Sequence, residues 1–224
     1  HPAAVVQGFG PDVGWRALAE ASFAVGSGLP WVATNADPTL PTPRGAAPGN
    51  GALVQAVATA TGRHPEVAGK PELPMHREAM LRSSARRPLV VGDRMDTDIE
   101  GAQRGGVDSL LVLTGVTRPL DVVLAPPQER PTYLSWDLTG LVRPHPAVEG
   151  GDGAATCLGW RARIRDGHLE LAAEGDGADP LDGLRAACVA SWTARQPPRA
   201  AAVAGALEAA GVGPAWVASQ ARAH

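Results

Sequence analysis

The residue best suited to phosphate chemistry in this chain is Lys70, its only lysine. Of 20 basic residues, the other 19 are arginine. Arginine replaces lysine on a solvated surface, but not where a compact point charge must fit beside a phosphate or a carboxylate. We therefore interpret Lys70 as a site residue, with chance survival at a tolerant position as the alternative.

An acidic run, Gly-Asp-Arg-Met-Asp-Thr-Asp-Ile, occupies residues 92–99, directly after the apolar stretch 88–91. Asp93 stands at the end of the strand that this apolar stretch predicts. A carboxylate at that position is well placed to hold a hard cation such as Mg²⁺ against a phosphoryl oxygen. The sequence therefore predicts that Asp93 is a metal ligand.

The rest of the acidic run has a simpler interpretation as a helix start. Thr97 and Glu100 fit a capping box, and Asp96 suits the positive end of a helix. Asp98 fits either capping or support of the metal site, and both interpretations stay open.

Alternating strands and helices must position these side chains. Predicted strands span 5–9, 29–34, 88–92 and 109–113, and predicted helices span 14–26, 51–61, 73–84 and 97–104. Residues 38–49 are predicted as a loop, Asn50 as the cap of the second helix and Gly62 as its end. The segments 120–124 and 138–142 complete the layer. This alternation predicts an α/β fold with a parallel sheet, in which ligands bind beyond the carboxyl ends of the strands.

The texture changes near residue 144. After a glycine-rich connector at 148–154, two strand-like segments joined around Asp166-Gly167 predict a hairpin. Helices are predicted at 181–195 and 199–210. The segment 144–224 is therefore predicted to be a separate small α+β domain.

Composition excludes several classes of partner. A net charge of -3 and a pI near 6.1 give no reason to expect nucleic acid or an anionic membrane. No apolar stretch is long enough to insert in a membrane. The two cysteines, Cys157 and Cys188, are too few for a disulfide scaffold, so we expect reduced thiols and a cytoplasmic location.

Several motifs resemble, in order, the haloacid dehalogenase (HAD) superfamily of phosphatases. The motifs at 69–71, 90–99 and 111–116 are similar to the third and fourth motifs of the branch that includes nitrophenylphosphatases, pyridoxal phosphatase and NagD. Upstream, the motifs at 33–38, 48–51 and 60–63 resemble the cap domain of the same branch. The resemblance covers roughly residues 3–143.

This resemblance implies a Mg²⁺-dependent phosphomonoesterase that works through an aspartyl-phosphate. Lys70 would neutralise the nucleophile and the phosphate oxygens, and Asp93 would bind Mg²⁺. Asp98 would orient that site, while Arg94 would support it or lie on the surface.

The cap loop would face a small phosphorylated substrate. In the family resemblance, Asn35 and Asp37 would belong to this substrate-facing loop. Their alternative role is ordinary turn chemistry.

One expected motif is absent from the sequence. The nucleophile of such phosphatases lies in an N-terminal Asp-x-Asp motif, whereas the only Asp-x-Asp here is Asp96-Thr97-Asp98. We therefore expect the partner of this chain to be a missing N-terminal part of the same protein. The 224 residues alone are expected not to hydrolyse phosphate esters.

The C-terminal extension narrows the resemblance to actinobacterial D,L-glycerol-3-phosphate phosphatases, whose tail resembles a GNAT-type acetyltransferase. The implied domains are part of the cap at 1–66, half of the HAD core at 67–143 and a GNAT-like domain at 144–224. The tail lacks the loop that would hold acetyl-CoA, which favours a structural or regulatory role.

Three functional hypotheses remain open at this point. The favoured one is a glycerol 3-phosphate phosphatase acting in glycerol metabolism or phospholipid recycling. The second keeps the chemistry but changes the substrate to pyridoxal phosphate or a nucleotide. The third is a catalytically silent phosphate-binding module.

Overall fold

The computed structural model describes residues 2–70, 72, 74–175 and 178–212, and it confirms a mixed α/β fold. The strands are β1 Val5–Gln7, β2 Trp31–Ala33, β3 Thr39–Thr42, β4 Gly45–Pro48, β5 Glu66–Val67, β6 Leu89–Gly92, β7 Asp108–Val112, β8 Tyr133–Ser135, β9 Glu149–Gly151, β10 Ala154–Cys157, β11 Trp160–Arg165 and β12 His168–Ala173. The helices are α1 Trp15–Gly26, α2 Asn50–Thr61, α3 Pro74–Ser83, α4 Glu100–Gly105, α5 Pro119–Val123, α6 Pro180–Thr193 and α7 Ala200–Ala209.

The chain divides into two compact units that interleave along the sequence. Residues 1–88 and 96–107 form the first unit, and residues 89–95 and 108–224 form the second. Each unit has its own sheets and its own buried side chains. No helix in the described part of the chain is long and apolar enough to cross a membrane.

The first unit contains a three-stranded parallel sheet in the order β1-β2-β5. Val25 of α1, Trp31 of β2 and Val57 of α2 form its buried core. The indole N–H of Trp31 donates to Gln7 Oε1 over 3.1 Å, which pairs a polar atom that burial would otherwise leave without a partner. The predicted alternation of strand and helix is thus confirmed in this unit.

Helix α2 ends where the sequence predicts but begins differently. Gly62 closes it with φ 67°, a left-handed conformation that glycine adopts at little cost. The prediction that Asn50 caps the helix is wrong, because the cap position is Gly49 and Asn50 is the first helical residue. The Asn50 side chain instead donates to the backbone oxygen of Asn35 over 2.8 Å.

The predicted loop at 38–49 is a β-hairpin, so that prediction is also wrong. Strands β3 and β4 pair antiparallel, and the Thr42 hydroxyl closes the turn by donating to Gly45 O over 2.7 Å. Each strand of this two-stranded ribbon has an unpaired edge, where a proline such as Pro41 or Pro48 removes no essential hydrogen bond. The prolines therefore mark edge strands rather than a loop.

The second unit contains a parallel sheet in the order β6-β7-β8. Strands β6 and β7 are predicted correctly, whereas β8 is not predicted. Of the two later segments, 120–124 becomes the short helix α5, and 138–142 becomes mostly a 3₁₀ turn at Leu138–Leu141.

A four-stranded antiparallel sheet, in the order β12-β11-β10-β9, follows in the same unit. All three connections are two-residue turns with positive φ at both positions: Asp152-Gly153, Leu158-Gly159 and Asp166-Gly167. Such turns match the twist of the strands that they join. The third turn confirms the predicted hairpin. The predicted connector at 148–154 is mostly strand, because β9 and the start of β10 flank the first turn.

Helix α6 packs on this sheet through small residues. A Cβ at Gly183 would lie 2.7 Å from the ring of Trp160, so glycine allows the helix to approach the indole closely. The buried residues Leu184, Ala187 and Cys188 continue the same face of α6. The predicted helices α6 and α7 are both present.

Candidate functional site

Lys70 forms an ion pair with Asp98 within the first unit. Its Nζ lies 2.6 Å from Asp98 Oδ1, and the side chains are 46% and 3% exposed, respectively. An opposite charge at hydrogen-bond distance offsets part of the hydration that a carboxylate loses on burial. Asp98 therefore fixes the tip of a lysine that remains half-exposed.

Backbone contacts fix Lys70 from the other side. The N–H of Ala36 donates to Lys70 O over 3.0 Å, and the N–H of Glu72 donates to Gly69 O over 2.8 Å. A Cβ at Gly69 would lie 2.1 Å from Thr34 O, so the close approach of the two chain segments requires glycine. The sequence stretch before Lys70 is thus built for close contact with the loop that follows β2.

Asp98 is presented by a π-helical turn, Met95–Ile99, that runs into α4. The predicted capping box is wrong, because the residue before α4 is Ile99 and no side chain caps the helix. Thr97 lies inside the turn, and its buried hydroxyl has no hydrogen-bond partner among the described residues. Single π-helical turns occur frequently at functional sites.

Arg104, on α4, connects two glutamates near Lys70. Its Nη1 donates to Glu72 Oε1 over 2.7 Å, and its Nη2 contacts Glu100 Oε1. Partial burial lowers the pKa of the guanidinium, but the two carboxylates outweigh this and raise the pKa above its ordinary value. Arg104 is therefore a fixed positive charge between the segment after Lys70 and the segment after Asp98.

Asp93 is held in the second unit by the turn that follows β7. Its Oδ2 accepts the N–H of Val116 over 3.1 Å, and its backbone oxygen accepts the Thr117 hydroxyl over 2.6 Å. A Cβ at Gly115 would lie only 1.8 Å from Asp93 Oδ2, so glycine leaves the room that this carboxylate occupies. The motif after β7 thus serves to orient Asp93.

The chemistry of Asp93 fits Mg²⁺. One carboxylate oxygen accepts a backbone N–H, which leaves the other for a cation. Mg²⁺ in phosphate-processing sites takes one or two carboxylates and completes its shell with water and substrate oxygens. Among the described residues, no group of three or more His, Cys, Asp or Glu side chains is arranged to hold a metal ion. Arg94, next to Asp93, is buried, so its alternative interpretation as a surface residue is wrong.

Asn35 and Asp37 lie on the loop after β2, in the first unit with Lys70. The N–H of Asp37 donates to Asn35 Oδ1 over 3.1 Å, which is the turn chemistry expected of such residues. Gly51 N–H also donates to Asp37 O over 2.8 Å. The structure thus brings this loop to Lys70 through the Ala36 contact and leaves the substrate role of both side chains a prediction.

Another ion pair, in which both side chains are largely buried, lies in the second unit. Arg185 Nη1 is 2.6 Å from Asp182 Oδ1, and the side chains are 12% and 8% exposed. Arg185 Nη2 also donates to Leu134 O over 2.8 Å and lies 3.4 Å from His145 Nδ1. The pair lines a polar cavity of about 330 Å³.

Cys157 and Cys188 are free and buried, as the reduced-thiol prediction requires. Burial, together with the nearby charge of Asp182, raises the pKa of the Cys157 thiol to about 11. Burial also raises the pKa of Cys188. Both thiols are therefore neutral at physiological pH.

Sequence reasoning did not identify Arg104 or Gly115. Arg104 is one of 19 arginines and pairs with Glu72 across 32 positions, so no local pattern marks it. Gly115 follows the predicted strand in the motif Leu-Thr-Gly-Val, which the resemblance quotes without giving the glycine a role.

Two family models match this chain. Residues 67–141 match the HAD-hydrolase-like model, and residues 157–212 match the GCN5-related N-acetyltransferase-like domain model. The chain is 48% identical over 202 residues to D-glycerol 3-phosphate phosphatase of Mycobacterium tuberculosis. That alignment covers 87% of this chain and 56% of the relative.

Solved structures give the same picture. A crystal structure of glycerol phosphate phosphatase from Mycobacterium tuberculosis in complex with magnesium has a TM-score of 0.73 and 47% identity, covering 89% of this chain and 59% of that one. A crystal structure of 4-nitrophenylphosphatase from Thermotoga maritima has a TM-score of 0.57 and 31% identity, covering 63% and 54%. The chain therefore spans little more than half the length of these relatives, and the predicted resemblance to HAD phosphatases with a GNAT-like extension is confirmed.

Proposed function

Because residues 67–141 belong to the HAD-hydrolase-like family, we propose that this chain is part of a Mg²⁺-dependent phosphomonoester hydrolase acting on glycerol 3-phosphate. The observation that carries the proposal is the half-exposed Lys70 held on buried Asp98. The 48% identity to a D-glycerol 3-phosphate phosphatase supports the choice of substrate. The nucleophile is proposed to lie outside the 224 residues.

Each site residue has a proposed role in this reaction. Lys70 binds the phosphate oxygens and stabilises the negative charge of the transition state, which is the largest contribution available to phosphoryl transfer. Asp93 holds Mg²⁺, which when bound would neutralise charge on the transferred phosphoryl group. Asp98 orients Lys70, and Asn35 and Asp37 contact the substrate.

We also propose the organisation and location of the protein. The proposed division is cap at 1–66, core at 67–143 and GNAT-like domain at 144–224, the last with a structural or regulatory role. Free, buried cysteines support a reducing cytoplasmic compartment.

The test is phosphate release by the protein as its gene encodes it. We expect hydrolysis of glycerol 3-phosphate that depends on Mg²⁺ and that falls about 100-fold or more in Lys70→Ala, the size typical of a lost oxyanion contact. Lys70→Arg should also be impaired, because guanidinium is broader than ammonium. Asp93→Asn should weaken the response to Mg²⁺.

Arg82→Ala is the matched control, since it breaks an exposed ion pair with Glu78 on α3. Full activity of Lys70→Ala would overturn the assignment of the site. Faster phosphate release from pyridoxal phosphate or a nucleoside monophosphate would make that compound the proposed substrate in place of glycerol 3-phosphate. Phosphate binding without any release would favour the silent binding module.

A further inference from the structure

Two contacts tie the segment at 69–72 to the segment at 98–104. The first is the ion pair of Lys70 with Asp98, and the second is the hydrogen bond of Glu72 with Arg104. Both lie within the first unit, and the two anchoring residues are six positions apart on a continuous helical stretch. Lys70 and Glu72 are therefore both held by the same helical stretch.

Arg104 makes its two contacts with different nitrogens. Nη1 donates to Glu72 and Nη2 contacts Glu100, one helical turn before it. A planar guanidinium can serve two carboxylates at once in a fixed direction, which a single ammonium does less well. The Glu100 side chain is only 17% exposed, so it has little freedom to move and holds the Arg104 guanidinium in place.

The charge of Glu72 matters because it stands two residues from Lys70. A lysine side chain has four rotatable carbon–carbon bonds, and the Lys70 side chain is half-exposed. An unpaired carboxylate so near in sequence would compete with Asp98 for the ammonium group. By pairing with Glu72, Arg104 removes this competitor and limits the motion of the turn.

We propose that Arg104 is a positioning residue that keeps the Lys70 ammonium on Asp98 by holding and neutralising Glu72. The relevance of this arrangement to turnover rests on the proposed function, but the arrangement itself does not. It concerns only contacts within this chain and can be tested without any phosphatase activity.

The experiment uses the fact that Lys70 is the only lysine in the chain. In protein labelled with ¹³C-lysine, NMR relaxation of the Lys70 Cε gives an order parameter that reports how firmly the tip of this side chain is held. We expect Arg104→Gln to lower this order parameter to that of a flexible group, about 0.6 or below, because the ammonium group then alternates between Asp98 and Glu72. Asp98→Asn, which removes the direct partner, should lower it at least as far.

The decisive variant is the double substitution Arg104→Gln with Glu72→Gln. If Glu72 competes for the lysine, removing its charge restores the high order parameter of the unchanged protein. A purely structural role for Arg104 would leave the Lys70 side chain as mobile in the double variant as in the single one, and that result would overturn the proposal. Circular dichroism of each variant establishes that the chain is folded.

Arg82→Ala serves as the matched control, because it removes an arginine from an exposed ion pair elsewhere in the same unit. It should leave the order parameter unchanged.

Discussion

Two ion pairs in this molecule have the same length and differ in what surrounds them. Lys70–Asp98 in the first unit and Arg185–Asp182 in the second both have nitrogen–oxygen distances of 2.6 Å, and in both the carboxylate is buried. The cations differ, since the lysine side chain is 46% exposed and the arginine side chain only 12%.

The difference teaches how to separate a site from a support. The Arg185 guanidinium donates its hydrogen bonds within the protein, to Asp182 and to the backbone oxygen of Leu134. The Lys70 side chain stays half-exposed, so an incoming anion can reach it. Distance and charge are alike in the two pairs, so the exposure of the cation is what distinguishes a candidate binding group from a structural one.

The largest effect should follow from breaking the buried pair Arg185–Asp182. Arg185→Ala leaves Asp182 buried without its cation, which typically costs about 3 to 5 kcal/mol of unfolding free energy. We expect a large loss of stability in urea unfolding followed by tryptophan fluorescence. Arg161→Ala, which breaks an exposed pair with Glu174, should cost about 0 to 1 kcal/mol. Equal losses in the two variants would contradict the distinction.

A smaller effect should appear in the pH dependence of the unfolding free energy, through the Cys157 thiol beside Asp182. Burial and the charge of Asp182 raise the pKa of Cys157 from 9.0 to about 11, so the folded chain holds the thiol proton more tightly than the unfolded chain. The resulting stabilisation is fully present below pH 9 and is lost as the pH rises to about 11. It is on the order of 2 kcal/mol.

Urea midpoints at pH 8 and pH 10.5 measure this loss. Cys157→Ala should show a weaker pH dependence than the unchanged protein over that range. If the two dependences coincide, the thiol does not titrate as its surroundings require.

The smallest effect should follow from breaking the half-exposed pair Lys70–Asp98. Lys70→Ala removes a half-exposed cation, and water that replaces it can solvate part of the Asp98 carboxylate. After allowing for this screening we expect a loss of about 1 kcal/mol in urea unfolding. A loss as large as that of Arg185→Ala would show that Lys70 is as structural as Arg185 and would remove the comparison.

Local signals explain why much of the fold could be predicted. Asp166-Gly167 and Gly62 require positive φ, which glycine adopts readily, so the hairpin and the end of α2 are visible in the sequence. Continuous apolar runs likewise mark β6 and β7. These features depend on residues that are neighbours in the chain.

The features that could not be predicted depend on contacts across the chain or on competing local preferences. The contact of Arg104 with Glu72 spans 32 positions and leaves no pattern. Thr97 has the sequence of a capping residue, but the chain continues helically through Met95–Ile99 and the cap is not formed. In the site, residue types predicted candidates such as Lys70 and Asp93, while their partners required coordinates.

The interleaving of the two units has a consequence for how the chain can be made. The polypeptide passes between them after residues 88, 95 and 107, so residues 96–107 complete a unit that residues 1–88 begin. During synthesis the contacts of the first unit cannot all form until Asp98 and the following helix α4 have left the ribosome, by which time β6 of the second unit has also emerged. Cutting the gene anywhere between codons 89 and 107 would therefore separate residues that belong to one compact unit.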